Sequence, residues 1–149
     1  MGVASALVFA NLGASYGTAK AGVGISSLGV IDGSKVFKAL IPIIMAGILG
    51  IYGIIVAVLL NSAVANVAEK DITARLGYKL LGAGLCCGLS SLAAGLAIGV
   101  AGDAGVRAYA QTDGIFVGMI LILIFAEAIG LYGLIVAIIM SQWSRNLRK

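Results

Sequence analysis

Apolar residues run in four long stretches, at positions 2–28, 37–65, 76–102 and 114–140, and polar residues concentrate in the breaks between them. Each stretch exceeds the roughly 20 residues that an α-helix needs to cross a hydrocarbon core about 30 Å thick. Because the breaks are short, consecutive helices must be antiparallel neighbours. The pattern therefore predicts an all-α membrane protein with four transmembrane helices arranged as helical hairpins.

The second and fourth stretches are copies of each other. A shift of 80 residues places AGILGIYGIIVA at 46–57 on AEAIGLYGLIVA at 126–137, with seven of the 12 positions identical. The first and third stretches match more weakly, through small residues that recur every four positions. We therefore divide the chain into a first hairpin repeat at 1–65 and a second at 66–149.

The composition agrees with a lipid environment. Of the 149 residues, 61% are hydrophobic and only 11% are charged, and no soluble single domain can bury that much apolar surface. Histidine is absent, and no Gly-Lys pair of a phosphate-binding loop occurs. Cys86 and Cys87 are adjacent on one helix, where they point apart and serve as packing residues. We predict no metal and no cofactor, and the net charge of +4 gives no reason to expect a nucleic-acid partner.

Glu127 is the one ionisable acid in the fourth stretch and lies near its midpoint. A charged carboxylate at that depth costs about 2.5–3.5 kcal/mol on insertion scales, so the group should keep its proton while it faces lipid. A carboxyl that releases its proton only in a polar niche can carry protons, and we assign Glu127 as a proton-binding residue. The alternative is a structural acid that is hydrogen-bonded to a neighbouring helix.

Gly47 stands opposite Glu127 in the copied stretch. We expect neighbouring side chains to pack into the gap that this glycine leaves. A glutamate placed there should overpack the site, typically at about 1–3 kcal/mol, and should not restore transport.

Small residues form stripes along the first and third stretches. Gly13, Gly17 and Ala21 recur every four residues in the first stretch, and Gly95 and Gly99 do so in the third. Such stripes let helix backbones approach closely, because lipid supplies no hydrophobic push between helices. We predict that these residues pack helices on the inside of a ring, with the bulkier second and fourth stretches outside. A compact monomeric four-helix bundle is the alternative.

Three charged residues near the ends of stretches have ordinary explanations. Lys20 lies inside the first stretch and should extend its ammonium group towards the membrane interface. Asp103 and Arg107 are four residues apart and should pair on one face of a helix.

Four segments carry a resemblance to a known family: LGASYGTAKAGVGI at 12–25, IPIIMAGILGIYGIIVAV at 41–58, GLAIGVAGDAGVR at 95–107 and FVGMILILIFAEAIGLYGLIVA at 116–137. Through these segments the sequence resembles the c-type proteolipids of vacuolar-type proton-pumping ATPases, and the resemblance covers nearly the whole chain. The resemblance implies that Glu127 is the ion-binding glutamate and that Tyr52 supports its carboxyl. It also implies that the first and third helices line the inside of a rotor ring.

The resemblance further implies a protein that is not an enzyme by itself and has no catalytic residues. Such a protein carries protons on Glu127 while ATP hydrolysed elsewhere rotates the ring. The implied partners are other c-type proteolipids, a stator a subunit with an essential arginine, the central-stalk subunits and membrane lipid. The implied location is the membrane of a vacuole, a lysosome or another acidic organelle. The family places both termini in the lumen, and we follow it although the positive-inside rule favours the cytosol.

Two alternative functions stay open at this point. A sodium-carrying rotor ring would need several oxygen ligands around Glu127, and residues 43–52 supply only Tyr52. A stand-alone channel-forming proteolipid would need a polar stripe to line its pore, whereas the small-residue stripes consist mainly of Gly and Ala.

Overall fold

The computed structural model describes residues 1–65 and 74–146, the last four of these by backbone alone. Helix α1 spans Gly2–Ile31, a 3-10 turn spans Gly33–Lys35, α2 spans Val36–Ala39, α3 spans Ile41–Ala65, α4 spans Ala74–Gln111 and α5 spans Ile115–Asn146. The predicted all-α fold is confirmed. Some predicted features lie outside the described residues. They are most of the second polar break, the far side of the predicted boundary between residues 65 and 66, and the end of the basic tail.

Three stretches of the described residues are long and apolar enough to cross a membrane. They are Gly33–Ala65, Ala74–Gln111 and Ile115–Gln142. Helix α1 has 30 residues and is therefore about 45 Å long, but Gly, Ser, Thr and Asn within it lower its hydropathy. The prediction of four spans is thus confirmed for three of them, and the first is a helix of sufficient length.

Asp32 stabilises the turn in the first break. One oxygen of its carboxylate accepts hydrogen bonds from the hydroxyl of Ser34 at 2.6 Å and from the backbone N–H of Ser34 at 3.0 Å. These bonds hold the pKa of Asp32 below its usual range, because they favour the charged form. Pro42 follows in the first turn of α3, where the lack of an N–H leaves no helical hydrogen bond unmade.

Lys35 connects the first break to the third. Its Nζ lies 2.8 Å from Oδ1 of Asp113 and 3.8 Å from Oδ2 of Asp32, and it also sits 5.3 Å from the centre of the Tyr109 ring. The α1–α3 connection and the α4–α5 connection therefore lie together at one end of the helices.

Helices α1 and α4 pack backbone to backbone. A Cβ atom on Gly17 would lie 3.0 Å from the carbonyl oxygen of Gly95, and one on Gly99 would lie 3.1 Å from the Cα of Gly17. A Cβ on Gly95 would overlap the carbonyl group of Gly13, and Ala21 is fully buried. The predicted small residues thus serve close helix packing within one chain, and their role in a ring stays a prediction.

Helices α3 and α5 pack on α1 and α4 in matching ways. A Cβ on Gly53 of α3 would lie 2.6 Å from the Cβ of Ala10 in α1, and a Cβ on Gly133 of α5 would overlap the side chain of Ser90 in α4. Both residues of the second contact follow those of the first by 80 positions. The fold is therefore a duplicated helical hairpin: α1 with α3 is the first hairpin, and α4 with α5 is the second.

Charged side chains form a small network near one end of the α1–α4 contact. Arg107 Nε donates to Asp103 Oδ1 at 2.7 Å, so the predicted pair is confirmed. Lys20 also reaches across to α4, where its Nζ lies 3.4 Å from Asp103 Oδ2, and its extension towards a membrane interface stays a prediction.

Candidate functional site

Glu127 lies near the middle of α5 and is half-buried. Beside it on α5, Leu123 is fully buried and Ala126 is 8% exposed, whereas Phe125 is 73% exposed. The carboxyl therefore stands at the edge of a helix contact, between packed protein and an apolar surface. A group in this position can face lipid or a second protein without moving its helix.

Tyr52 of α3 donates its hydroxyl hydrogen to Oε1 of Glu127 across a distance of 3.2 Å. Among the described residues, it is the one side chain hydrogen-bonded to this carboxyl. A neutral carboxylic acid keeps an acceptor oxygen, so the phenol can donate to Glu127 in either protonation state. The second carboxyl oxygen has no hydrogen bond to a described side chain.

The packing of α3 against α5 brings the two residues together. A Cβ atom on Gly130, one turn after Glu127, would lie 2.7 Å from Cδ2 of Leu49, and Leu49 is fully buried. The thiol of Cys87 lies 3.7 Å from the backbone carbonyl oxygen of Tyr52 and donates a weak hydrogen bond to it. The glycine lets the helices approach closely enough for the phenol to reach the carboxyl.

Ser90 of α4 is a further residue of the site, one that the sequence pattern did not single out. Its hydroxyl donates to the backbone carbonyl oxygen of Ile129 at 2.6 Å and lies 3.5 Å from that of Gly130. Gly133 supplies the necessary room, because a side chain there would overlap Ser90. The internal repeat was the available signal, since Ala10 occupies the matching position in the first hairpin.

The bond from Ser90 fixes the rotation of α5 about its own axis. A carboxyl at the end of a glutamate side chain lies about 6–7 Å from the helix axis, so a rotation of about 10° would move it by about 1 Å. That displacement would take the 3.2 Å contact between Tyr52 and Glu127 beyond hydrogen-bond range. Ser90 and Gly133 therefore contribute to the rotational position of α5, and with it to the position of the carboxyl.

Gly47 is exposed on α3, and a Cβ atom built there would meet nothing within 4 Å among the described residues. The expectation that neighbouring side chains fill this gap is therefore wrong within a single chain. Gly47 and Tyr52 are five residues apart, which is about 140° around the helix. Because Tyr52 faces α5, Gly47 faces away from it.

Comparison with known proteins agrees with the internal repeat. A family model that describes the C subunit of ATP synthase matches residues 1–60 and again residues 81–140, two segments separated by the 80-residue offset of the internal repeat. The chain is 57% identical over 141 residues to the 16 kDa proteolipid c subunit of the V-type proton ATPase of Homo sapiens, an alignment that covers 95% of this chain and 88% of that protein.

Two further relatives are similarly close. The chain is 57% identical to the 16 kDa proteolipid c subunit of the V-type proton ATPase of Ascaris suum, over 94% of this chain and 86% of that protein. It is also 57% identical to the V-type proton ATPase 16 kDa proteolipid subunit of Chrysotila carterae, over 95% of this chain and 88% of that protein. The resemblance inferred from the four sequence segments is confirmed.

Proposed function

The chain belongs to the family of ATP synthase C subunits, and from this premise we propose that it is a proton-translocating rotor subunit in the membrane sector of a V-type ATPase. One observation carries the proposal. Glu127 is a single half-buried acid in the middle of an apolar helix, and a phenol from another helix holds one of its oxygens. Relatives at 57% identity bear the name of a V-type proton ATPase proteolipid.

Glu127 carries the proton in this proposal. While it faces lipid it stays neutral, because a charged carboxylate in mid-membrane costs about 2.5–3.5 kcal/mol. When the ring brings it beside a stator a subunit, an arginine there favours the charged form, and the proton leaves through an aqueous path. Rotation driven by ATP hydrolysis in other subunits then returns the carboxyl to lipid after it has been reloaded. The chain itself breaks no covalent bond other than the O–H bond.

The duplication sets the number of carriers. Each chain brings four helices but only one acid, because Gly47 stands in the first hairpin where Glu127 stands in the second. Fewer protons per turn at a fixed input of ATP means that each proton can be moved against a steeper gradient. This ratio suits a pump that acidifies a vacuole, a lysosome or another acidic organelle, and we place the protein in such a membrane.

The inner helices of the ring are α1 and α4 in this proposal. Gly13, Gly17, Ala21, Gly95 and Gly99 make their contact narrow, which suits the crowded inside of a ring of c-type proteolipids. Each of the repeats, 1–65 and 66–149, supplies one inner helix and one outer helix. The end held together by Lys35 and Asp113 faces the central stalk, and the termini face the lumen.

The alternative functions receive less support. Sodium prefers a cage of several oxygens, whereas within the described part of the chain Tyr52 is the one side chain bonded to Glu127, and no group of three or more His, Cys, Asp or Glu residues there could hold a metal ion. A channel would need a polar lining, whereas the small-residue stripes of α1 and α4 pack against each other.

The test of this function is the substitution Glu127→Gln. Glutamine is nearly isosteric with glutamate but cannot exchange a proton, so ATP-driven acidification of isolated vesicles should be lost while the complex still assembles. Glu127→Asp keeps a displaced carboxyl and should retain partial activity. A carboxyl-reactive carbodiimide should label the wild-type protein and fail to label the Gln variant. Near-normal acidification by Glu127→Gln would refute the proposal.

A further inference from the structure

One face of α5 is exposed where the copied face of α3 is buried. Leu49 and Val56 of α3 are 0% and 1% exposed, whereas their counterparts Ile129 and Val136 in α5 are 45% and 44% exposed. The two hairpins share the same packing geometry, so this difference comes from their neighbours. The first hairpin has the second one against this face, whereas no described residue of the same chain covers the matching face of the second hairpin.

The two tyrosines show the same asymmetry. Tyr52 is half-buried and reaches Glu127, whereas Tyr132, at the copied position on α5, is 64% exposed. The position 80 residues before Glu127 is Gly47, which is exposed and has no described atom within 4 Å of a Cβ. A single chain therefore presents a projecting phenol on one outer face and an open position on the other.

We propose that Tyr132 fills the open position at Gly47 of a second copy of this chain. The rotation that carries the first hairpin onto the second, applied once more, carries the second hairpin onto the first hairpin of the next copy. The contact between copies then repeats the α3–α5 contact within each copy. This inference rests on the proposed function, because the ring supplies the neighbouring copy.

The proposal gives Gly47 a reason to be glycine. Within a chain, Tyr52 meets a carboxyl at this contact, whereas between copies Tyr132 meets an open position. Two kinds of contact therefore alternate around the ring. The contact within each copy holds the proton-carrying carboxyl, and in the contact between copies the phenol of Tyr132 occupies the equivalent space. The exposed side chains of Ile129 and Val136 become buried against protein, as their counterparts Leu49 and Val56 already are.

The first experiment replaces Tyr132 with the photoreactive amino acid benzoylphenylalanine in the assembled complex. Illumination should give covalent dimers, and mass spectrometry should locate the adduct on residues 43–51 of the other copy. The matched control places the same amino acid at Tyr52, which should react with α5 of its own chain and give no dimers. Adducts of the Tyr132 variant with lipid or with a different helix, in intact rings, would overturn the proposal.

The second experiment changes the size of the two partners. A Cβ at position 47 meets no described atom of its own chain within 4 Å, so the Gly47→Leu chain should fold, but ring yield should fall at least tenfold. Adding Tyr132→Ala should restore at least half of the yield. Gly118→Leu, at another exposed glycine with no described atom within 4 Å, should leave ring yield unchanged.

The outcomes separate the two proposals. Failure of the wild-type chain to form any ring would overturn the proposed function and this contact together. Normal ring yield from Gly47→Leu, with wild-type rings intact, would overturn the contact alone. Lack of rescue by Tyr132→Ala would also overturn it, because the clash would then involve some other residue.

Discussion

Glu127 and Ser90 each have a counterpart 80 residues earlier that lacks the functional group. Gly47 has no carboxyl, and Ala10 has no hydroxyl. Ser90 donates to the helix that carries Glu127 at 2.6 Å, whereas Ala10 makes only a van der Waals contact with its own glycine partner. The acid and the hydroxyl are thus present together in one hairpin and absent together from the other, as expected if the hydroxyl orients the acid.

Tyr52→Phe tests the contribution of the single hydrogen bond from the Tyr52 hydroxyl to Glu127. The variant keeps the ring volume and removes the one side-chain donor to Glu127 among the described residues. A hydrogen bond of this kind is worth about 0.5–1.5 kcal/mol, so ATP-driven acidification should fall by about 2- to 10-fold, and carbodiimide should still label Glu127. Tyr132→Phe is the matched control and should stay within about twofold of wild type. A loss as complete as that of Glu127→Gln would show that Tyr52 does more than orient the carboxyl.

At the scale of the helices, the apolar pattern predicted their existence better than their ends. Helix α4 continues to Gln111, although its apolar stretch ends at position 102, and α1 continues to Ile31. Apolar residues are needed only where a helix contacts lipid, whereas the helix itself continues as far as its backbone hydrogen bonds do. The pair formed by Asp103 and Arg107 stabilises a part of α4 that the apolar pattern leaves out.

The serines show why part of the site could not be predicted. A serine in a helix commonly bonds the carbonyl group four residues earlier, as Ser26 and Ser27 do at 2.9 and 3.1 Å. Ser90 instead bonds the neighbouring helix, and only the register between α4 and α5 decides this. Glu127 could be proposed as a site residue without knowledge of the helix register, because an acid deep in an apolar run is by itself a candidate for function.

Ser90→Ala tests the orienting bond, because it gives the second hairpin the residue that the first one has. The fold and ring yield should be unchanged, since Ala10 occupies the equivalent contact without difficulty. Acidification should fall by about 2- to 10-fold. Combined with Tyr52→Phe, the loss should be less than the product of the single losses, because both changes act on one carboxyl. Ser26→Ala, which removes only a bond within α1, serves as control. Fully multiplicative losses would contradict a shared effect on Glu127.

Gly17→Leu tests the contact between α1 and α4. A Cβ there would lie 2.9 Å from the Cβ of Ala46 and 3.0 Å from the carbonyl oxygen of Gly95, and a backbone carbonyl cannot move aside. Overpacking commonly costs about 1–3 kcal/mol, so the chain should insert into membranes but lose protease resistance in detergent. Gly22→Leu is the control on the same helix, because a Cβ at position 22 meets no described atom within 4 Å. This variant should keep its protease resistance. Equal resistance of the two variants would show that the α1–α4 contact is looser than described.

At the scale of the whole ring, the question is whether the contact within a chain and the contact between chains are interchangeable. The double variant Gly47→Glu with Glu127→Gln keeps one carboxyl per chain in mid-membrane and moves it from one contact to the other. No described residue of the same chain lies within 4 Å of a Cβ at position 47, so any overpacking by a glutamate there comes from Tyr132 of the next copy.

The transplanted carboxyl should displace the Tyr132 phenol of the next copy from the open position and then contact its hydroxyl, as Glu127 contacts Tyr52. It would lack the orienting hydroxyl, because Ala10 stands where the second hairpin has a serine. We therefore expect a reduced yield of rings, as for Gly47→Leu, with carbodiimide labelling at position 47 in the rings that form and acidification at least about threefold below wild type, as for the loss of one orienting bond. The Glu127→Gln single variant is the control and should show neither labelling nor transport. Assembled rings without labelling at position 47 would show that this position does not face the environment of a proton site, and the two contacts would then differ in more than the acid.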